Sequence, residues 1–408
     1  MKESGILKKI DFVLILAVFL LVGIGVLGVS VAMSSPNSLD EESAGVLQSI
    51  ANLNLRYVVL TLIWFGTGLV LGVTVCCINY HRLQKFTPLI YLGVLGLLVL
   101  VFLIGTIAGG AKSWFSIGPY KLQPSEFAKI SLILSLSAFL TSERFDAGIN
   151  TWKDMILIGG IVGLPFVMIL MQPDLGTAMV FMVITMFILF SAKLNWKKIL
   201  VCVVAAAAMA VLAWFFVLDN YQKNRLLLFV NPDLDPSGLG YQLKQSLTAI
   251  GSGRLFGKGL FGENMLSQLD FLPAKSTDFI FAVIIESMGF VMGFGVLLLY
   301  FIMLMRILKN ARKSDDRFGM LICTGVAGMF FAHIFENIGM TMGIMPITGI
   351  PLPFLSYGGS SMWTNLISIG LVLSVGIHRS ERITVKTKDV SELKAMRLNA
   401  KGKRKVRS

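Results

Sequence analysis

Long apolar runs separated by short polar segments dominate this chain. A helix that spans a bilayer needs about 20 consecutive, mostly apolar residues. Runs of this kind occur at ten places, roughly at 11–32, 57–78, 87–108, 124–141, 154–171, 174–192, 197–218, 278–305, 317–342 and 360–378. The pattern therefore predicts an all-α, polytopic membrane protein with ten transmembrane helices.

The overall composition supports this class of protein. Hydrophobic residues make up 55% of the 408 positions and charged residues 14%, whereas globular chains average about 45–50% and about 25%. These proportions argue against a soluble globular enzyme and against a disordered chain.

The net charge of +13 is explained by membrane topology and does not require a nucleic-acid partner. Basic residues gather in the cytoplasmic loops of membrane proteins. With the N-terminus inside, 26 of the 36 lysines and arginines fall on the cytoplasmic side, so both termini are predicted to be cytoplasmic. The chain then divides into a membrane domain, 1–378, and a basic cytoplasmic tail, 379–408.

Two segments on the outer side are unusual. The loop 219–277, between the seventh and eighth spans, is too long for a simple connection and combines glycines with apolar residues such as Phe229. We expect this large extracytoplasmic loop to fold back onto the membrane, partly as short amphipathic helices. Its cations, among them Arg225, are either tolerated there or attract an anionic headgroup. The uncharged segment 343–360, rich in Pro and Gly, is either an exterior turn or a re-entrant, cavity-lining element.

Charged side chains inside spans are costly and usually functional. Glu126 and Lys129 are three residues apart and therefore share one helix face. They either line a polar cavity and help to hold a substrate, or form a neutralising pair that joins helices. Asp174, in the sharp connection between two spans, can cap the following helix, contact a substrate, or do both.

Asp278 stands where the large outer loop meets the eighth span, a position that suits either a helix cap or a general base. Partial burial raises the pKa of a carboxyl above its reference of about 3.9 and makes it a better proton acceptor. Glu286, two helical turns later, could tune Asp278 or bind a cation. Trp114 has the position of an aromatic-belt anchor. His333 and Glu336 favour packing or a hydrogen bond over a metal site.

Five stretches together resemble the SEDS family (shape, elongation, division and sporulation), in the right order over roughly 105–378. They are 114–129, Gln172–Ala178, Gly240–Gly253, Thr277–Ala282 and Pro353–Ser361. Two further segments look more like the RodA branch than the FtsW branch, namely Gly257–Gly259 and Ser267–Leu269.

The resemblance implies a ten-helix peptidoglycan glycosyltransferase of the bacterial cytoplasmic membrane. Such proteins polymerise lipid II into β-1,4-linked glycan strands for cell-wall synthesis and rod-shape elongation. They work beside a class B penicillin-binding protein, which crosslinks the growing strands, and with other elongation-complex proteins.

The catalytic residue is then expected to be Asp278, as a general base for the acceptor hydroxyl. Lys129, Arg56 or loop cations, with a divalent cation such as Mg²⁺ or Mn²⁺, would offset the charge of the leaving pyrophosphate. The candidate substrate-binding residues are Arg56, Trp114, Glu126, Lys129, Asp174, Thr177, Glu286, Ser356 and Tyr357.

Three serines depart from the family pattern, which usually has a basic residue at Ser113, a histidine at Ser276 and a second acid at Ser287. Two other functions use the same features. A flippase or transporter of lipid-linked cell-wall precursors needs similar intramembrane charges, and a scaffold for a partner synthase needs no chemistry. The folded outer loop that ends in a carboxylate favours the enzyme, because a flippase does not require it.

Overall fold

The computed structural model describes residues 9–34, 55–108, 111–118, 120–142, 152–194, 220–260, 265–269 and 271–378, with isolated positions between 195 and 219. Its helices in these ranges are α1 (Phe12–Met33), α2 (Leu55–Cys77), α3 (Tyr80–Ile104), α4 (Pro124–Leu140), α5 (Trp152–Leu170), α6 (Leu175–Ser191), α7 (Asn220–Val230), α8 (Leu239–Ser252), α9 (Ile280–Lys313), α10 (Arg317–Thr341) and α11 (Gly359–His378). A short 3₁₀ helix, Pro232–Leu234, joins α7 to α8.

Seven helices in the described part are long and apolar enough to cross a membrane, namely α1, α2, α3, α5, α9, α10 and α11. Two further predicted spans, 124–141 and 174–192, correspond to the 17-residue helices α4 and α6. Most of the predicted span 197–218, and the whole tail 379–408, lie outside the described residues. The chain is thus a mostly helical, multi-pass membrane protein.

The description "all-α" needs one correction. The predicted span 87–108 ends as a helix at Ile104, and the chain continues as a three-stranded antiparallel sheet of β1 (Thr106–Ala108), β2 (Ala111–Ile117) and β3 (Tyr120–Leu122). Gly118, with φ +60°, makes the turn between β2 and β3, where a left-handed residue is needed. α3 also begins earlier than predicted, because Asn79 caps the amide of His81.

Helix α10 lies at the centre of the molecule and packs against α4, α6, α9 and α11. After α10 the chain turns back along it without forming a helix: Asn337 donates to the carbonyl of Ile350, and the His333 ring lies 3.3 Å from the carbonyl of Pro351. This irregular segment is buried at Ile350, Leu352 and Phe354. Its course matches the re-entrant interpretation of 343–360, and it places polar backbone groups inside the helix bundle.

The outer loop contains the helices α7 and α8 and is attached to α9 at a break in that helix. Gly289 has φ +84°, which interrupts the helical hydrogen bonds. The backbone of 254–259 replaces them: Lys258 and Gly259 donate to the carbonyls of Glu286 and Ser287, while Phe290 donates to that of Arg254. The loop is therefore part of the folded core and not a free connection.

Candidate active site

A cavity of about 330 Å³ with several charged and polar side chains in its lining opens beside the re-entrant segment. It collects residues from β2, the starts of α4 and α6, α7, the turn before α9, and the re-entrant segment. Its charged and polar lining includes Ser113, Gln123, Glu126, Asp174, Thr177, Arg225, Thr277, Asp278, Thr348, Tyr357, Ser360 and Ser361, and Trp114 also contributes.

Asp278 lies in a tight turn that precedes α9. The carbonyl of Ala274 accepts hydrogen bonds from the amides of Thr277, Asp278 and Phe279, at 3.2, 3.0 and 3.2 Å. Ala274 has φ +52°, a left-handed conformation that costs free energy in a residue with a Cβ and occurs at functional sites. The strained turn directs the half-buried Asp278 carboxylate into the cavity.

Arg225 of α7 lies across a small gap from this carboxylate. Its Nη1 donates to the carbonyl of Thr348 at 2.8 Å. A Cβ added to Gly349 would lie 3.4 Å from Arg225 Nη1 and 3.4 Å from Asp278 Oδ2. Since Gly349 has no side chain, a small gap remains beside the acid and the guanidinium, in which one added carbon would contact both.

The surroundings of Asp278 make it a better proton acceptor than a free aspartate. Burial raises the pKa of its carboxyl above the ordinary value of 3.8, while the Thr277 hydrogen bond and the charge of Arg225 lower it. The raised pKa increases the basicity of the carboxylate, and general bases work best when their pKa approaches the working pH.

Asp174, another acid that lines the cavity, accepts four hydrogen bonds from the protein. Its Oδ2 accepts from Gln123 Nε2, Ser125 Oγ and Thr177 Oγ1 at 3.1, 3.3 and 2.8 Å, and its Oδ1 accepts from the amide of Thr177 at 3.0 Å. These bonds cap α6 and join it to the start of α4. With its lone pairs occupied in this way, Asp174 is poorly placed to take a proton from a substrate.

Glu126 and Lys129 form a buried pair with a third member. Lys129 Nζ lies 2.7 Å from Glu126 Oε1 and 2.8 Å from His333 Nε2, and the pair is 3% and 1% exposed. Because an ammonium only donates, His333 Nε2 must accept, and Nδ1–H then faces the carbonyl of Pro351. Glu126 lines the cavity, and Lys129 supports it from behind.

The other predicted residues lie in different places. Trp114, Thr177 and Tyr357 line the cavity. Ser356 is behind its wall and bonds to the main chain of 277 and 352. Arg56 is exposed at the start of α2, next to Tyr57, whose ring packs edge-on against that of Tyr357.

Glu286 is outside the cavity lining. It is fully buried and accepts from the amides of Leu266 and Ser267 at 2.8 and 3.1 Å and from Lys258 Nζ at 3.0 Å. Its contacts join the outer loop to α9.

The carboxylates that line the cavity are Glu126, Asp174 and Asp278. Among the residues that the structure describes, no group of three or more His, Cys, Asp and Glu side chains is arranged to hold a metal ion.

Sequence reasoning missed several lining residues. Gln123, Thr348, Ser360 and Ser361 were not singled out as ligands, although the Ser360-Ser361 pair belongs to a noted motif. Arg225 appeared as one of six outer-loop cations, and nothing local in the sequence separates it from the others.

A multi-pass helical bundle with a cavity lined by acids and a cation defines the class of this protein as an integral membrane protein. The family model described as a cell cycle protein, FtsW/RodA/SpoVE, matches residues 12–381. The chain belongs to this family.

Curated relatives support the same assignment. Peptidoglycan glycosyltransferase MrdB of Escherichia coli strain K12 is 39% identical over 314 residues, which cover 76% of this chain and 83% of MrdB. Peptidoglycan glycosyltransferase RodA of Treponema pallidum strain Nichols is 35% identical, covering 93% of this chain and all of that protein. Stage V sporulation protein E of Bacillus subtilis strain 168 is 34% identical over 77% of this chain and 85% of its own length.

Solved structures share the fold. A chain from a structure titled as a peptidoglycan synthase complex that coordinates polymerization and crosslinking superposes with a TM-score of 0.74 at 29% identity, covering 91% of this chain and 98% of that one. The crystal structure of the rod shape determining protein RodA of Thermus thermophilus gives a TM-score of 0.65 at 26% identity, with the same coverage.

Proposed function

We propose that this protein is a peptidoglycan glycosyltransferase that polymerises lipid II into β-1,4-linked glycan strands, with Asp278 as general base. The observation that carries the proposal is the cavity in which the Asp278 carboxylate and the Arg225 guanidinium flank the gap at Gly349. The names of the relatives, peptidoglycan glycosyltransferases MrdB and RodA, agree with it.

The reaction needs one base and one site for negative charge. Asp278 accepts the proton of the acceptor 4-hydroxyl while that oxygen bonds to C1 of the donor sugar. The bond from C1 to the pyrophosphate oxygen breaks, and undecaprenyl pyrophosphate leaves with inversion at C1. Because pyrophosphate is a good leaving group, no second acid is required to protonate it, unlike the hydrolysis of a plain glycosidic bond.

Arg225 takes the role of the cation for the departing charge. Its guanidinium is already oriented by the carbonyl of Thr348, and preorganised donors stabilise developing charge at little reorganisation cost. Lys129 is held by Glu126 and His333 and is not among the residues that line the cavity. Its role in this mechanism is to fix Glu126 at the cavity wall.

Ten transmembrane helices, with both termini in the cytoplasm, would put the Asp278 end of the bundle at the outer face of the bacterial cytoplasmic membrane. A class B penicillin-binding protein is the proposed crosslinking partner, within an elongation complex, and the neighbouring synthase-complex structure supports a pairing of this type. A divalent cation such as Mg²⁺ or Mn²⁺ stays a prediction, which titration with EDTA tests.

The decisive experiment incubates the purified full chain with labelled lipid II. We expect glycan polymer from the wild type and a loss of about 10²–10⁴-fold for Asp278→Asn, the usual contribution of a general base. The matched control is Asp233→Asn, an outer-loop carboxylate with a 77% exposed side chain, which should keep its activity.

The same assay separates the alternatives. Movement of lipid II across liposomes without polymer would identify a flippase, and neither polymer nor movement would identify a scaffold. Wild-type activity in Asp278→Asn would contradict the general-base role.

A further inference from the structure

Asn337 bridges the two main-chain segments that form the reacting end of the cavity. It lies near the end of α10 and is completely buried. Its Nδ2 donates to the carbonyl of Asp278 at 2.9 Å and to the carbonyl of Ile350 at 2.7 Å. One side-chain amide thus ties the turn that carries the base to the re-entrant segment opposite.

The same re-entrant segment is fixed on its other side by Arg225, which binds the carbonyl of Thr348. Thr348 and Ile350 flank Gly349, the residue whose missing side chain leaves the gap between Asp278 and Arg225. The distance from the acid to the guanidinium is therefore set through three short links: Asp278 to Asn337, Asn337 to Ile350, and Thr348 to Arg225.

Two further residues of the re-entrant segment, Ser356 and Tyr357, hold the same turn from its other side. Ser356 Oγ donates to the carbonyl of Thr277 at 2.5 Å and accepts from the amide of Leu352 at 2.8 Å. The amide of Tyr357 donates to the carbonyl of Ser276 at 2.9 Å. The turn is thus held from two directions, with Asn337 bonded to the residue that carries the carboxylate.

The hydrogen bonds of Asn337 indicate that an amide occupies this position for its N–H donors and not for its oxygen acceptor. Its Oδ1 is buried and has no hydrogen-bond partner among the described residues. A buried acceptor without a partner destabilises a protein, and an apolar side chain of similar size would avoid that cost. The amide is useful here because its N–H groups hold two carbonyls at once.

We propose that Asn337 is a positioning residue for glycosyl transfer, which fixes the main chain of Asp278 against the 348–350 wall and so sets the separation of Asp278 from Arg225. This inference rests on the proposed function. A base displaced by about 1 Å can lose about 10²-fold in rate. Ground-state binding of lipid II by the rest of the cavity should change little, because the displaced group acts in the transition state.

The test compares purified full-length variants in the lipid II assay. Asn337→Leu keeps the volume and removes both donors, and we expect kcat to fall about 10–100-fold with KM nearly unchanged. Asn337→Gln retains the donors and should recover part of kcat. The control is Thr324→Val, a buried change in the same helix that removes a hydroxyl bonded to the carbonyl of Met320, and it should keep kcat.

A second readout separates positioning from general packing. In the Asp278→Asn background, adding Asn337→Leu should cause no further loss of residual activity, since groups that act as a unit are not additive. A merely structural residue would lower the activity of both backgrounds by the same factor. If Asn337→Leu does not fold, Asn337→Ser, with one donor, should show an intermediate kcat and an unchanged KM.

The outcomes distinguish this inference from the proposed function. If the wild type polymerises lipid II and Asn337→Leu keeps the wild-type kcat, the positioning role alone is overturned. If Asn337→Leu does not fold, Asn337→Ser takes its place in this comparison. A wild-type protein that forms no polymer overturns both.

Discussion

Asp278 and Glu286 lie eight positions apart around the start of α9, yet their surroundings differ completely. Asp278 is half-buried and faces a cavity and a guanidinium. Glu286 is fully buried, and its oxygens are occupied by two backbone amides and Lys258. The first arrangement leaves a carboxylate open to a ligand, whereas the second uses a carboxylate to attach the outer loop to the membrane core.

The difference shows that a buried acid in a membrane protein is not by itself a reacting group. What separates the two acids is the presence of unfilled space next to the carboxylate. Asp278 has the gap at Gly349 beside it, while the oxygens of Glu286 have fixed partners.

The largest expected effect on stability is at Glu286. In Glu286→Gln, an NH₂ group replaces one carboxylate oxygen and faces either the amide of Ser267 or that of Leu266, and Lys258 loses its buried counterion. We expect a loss of about 2–4 kcal/mol in stability, measured as a lower thermal unfolding temperature in detergent. The Glu286→Gln protein that stays folded should keep its kcat. The reciprocal control is Asp278→Asn, which should lose kcat while keeping its unfolding temperature. Equal losses of kcat in both variants would contradict the contrast.

Seven of the ten predicted spans and the boundary position of Asp278 were predictable, because apolar runs and an acid at their edge are local features. The role of Glu286 was not. Its predicted closeness to Asp278 assumed that both lie on one helix face, but Asp278 belongs to a turn and α9 begins at Ile280. The hydrogen bonds of Glu286 also come from a loop 19 to 28 residues earlier in the chain, a relation that helical periodicity cannot reveal.

Arg225 and Asn337 show a second limit of sequence reasoning. One lies in α7 and the other in α10, and both reach the site only because the re-entrant segment folds back between them. The sheet at 106–122 was missed for a different reason. Helix α3 ends at Ile104, but the apolar run continues beyond it into β1. Hydrophobicity alone therefore does not mark the change from helix to strand.

Removing the positive charge of Arg225 should change the pH dependence of the reaction. That charge lowers the pKa of Asp278, opposing the effect of burial. In Arg225→Gln the pKa of Asp278 should therefore rise further. Since only the ionised carboxylate acts as base, activity falls as pH drops through this pKa, so the acid limb of the pH–rate profile should move to higher pH. The control is Lys244→Gln, because Lys244 forms an exposed ion pair with Asp233; this variant should leave the pH–rate profile unchanged. An unchanged profile in Arg225→Gln would contradict the electrostatic link between Arg225 and Asp278.

The smallest expected effect comes from filling the gap itself. Gly349→Ala adds a Cβ 3.4 Å from both Asp278 Oδ2 and Arg225 Nη1, at φ +73°. The left-handed backbone costs about 1–2 kcal/mol with any side chain, so Gly259→Ala, at φ +93° with open space around its Cβ, is a matched control for that strain. Both variants should lose similar stability, but only Gly349→Ala should lower kcat/KM for lipid II, by about tenfold, which corresponds to about 1.4 kcal/mol. Equal kcat/KM in the two variants would mean that the reacting groups of the substrate do not enter the space between Asp278 and Arg225. The open gap would then not be what distinguishes Asp278 from Glu286.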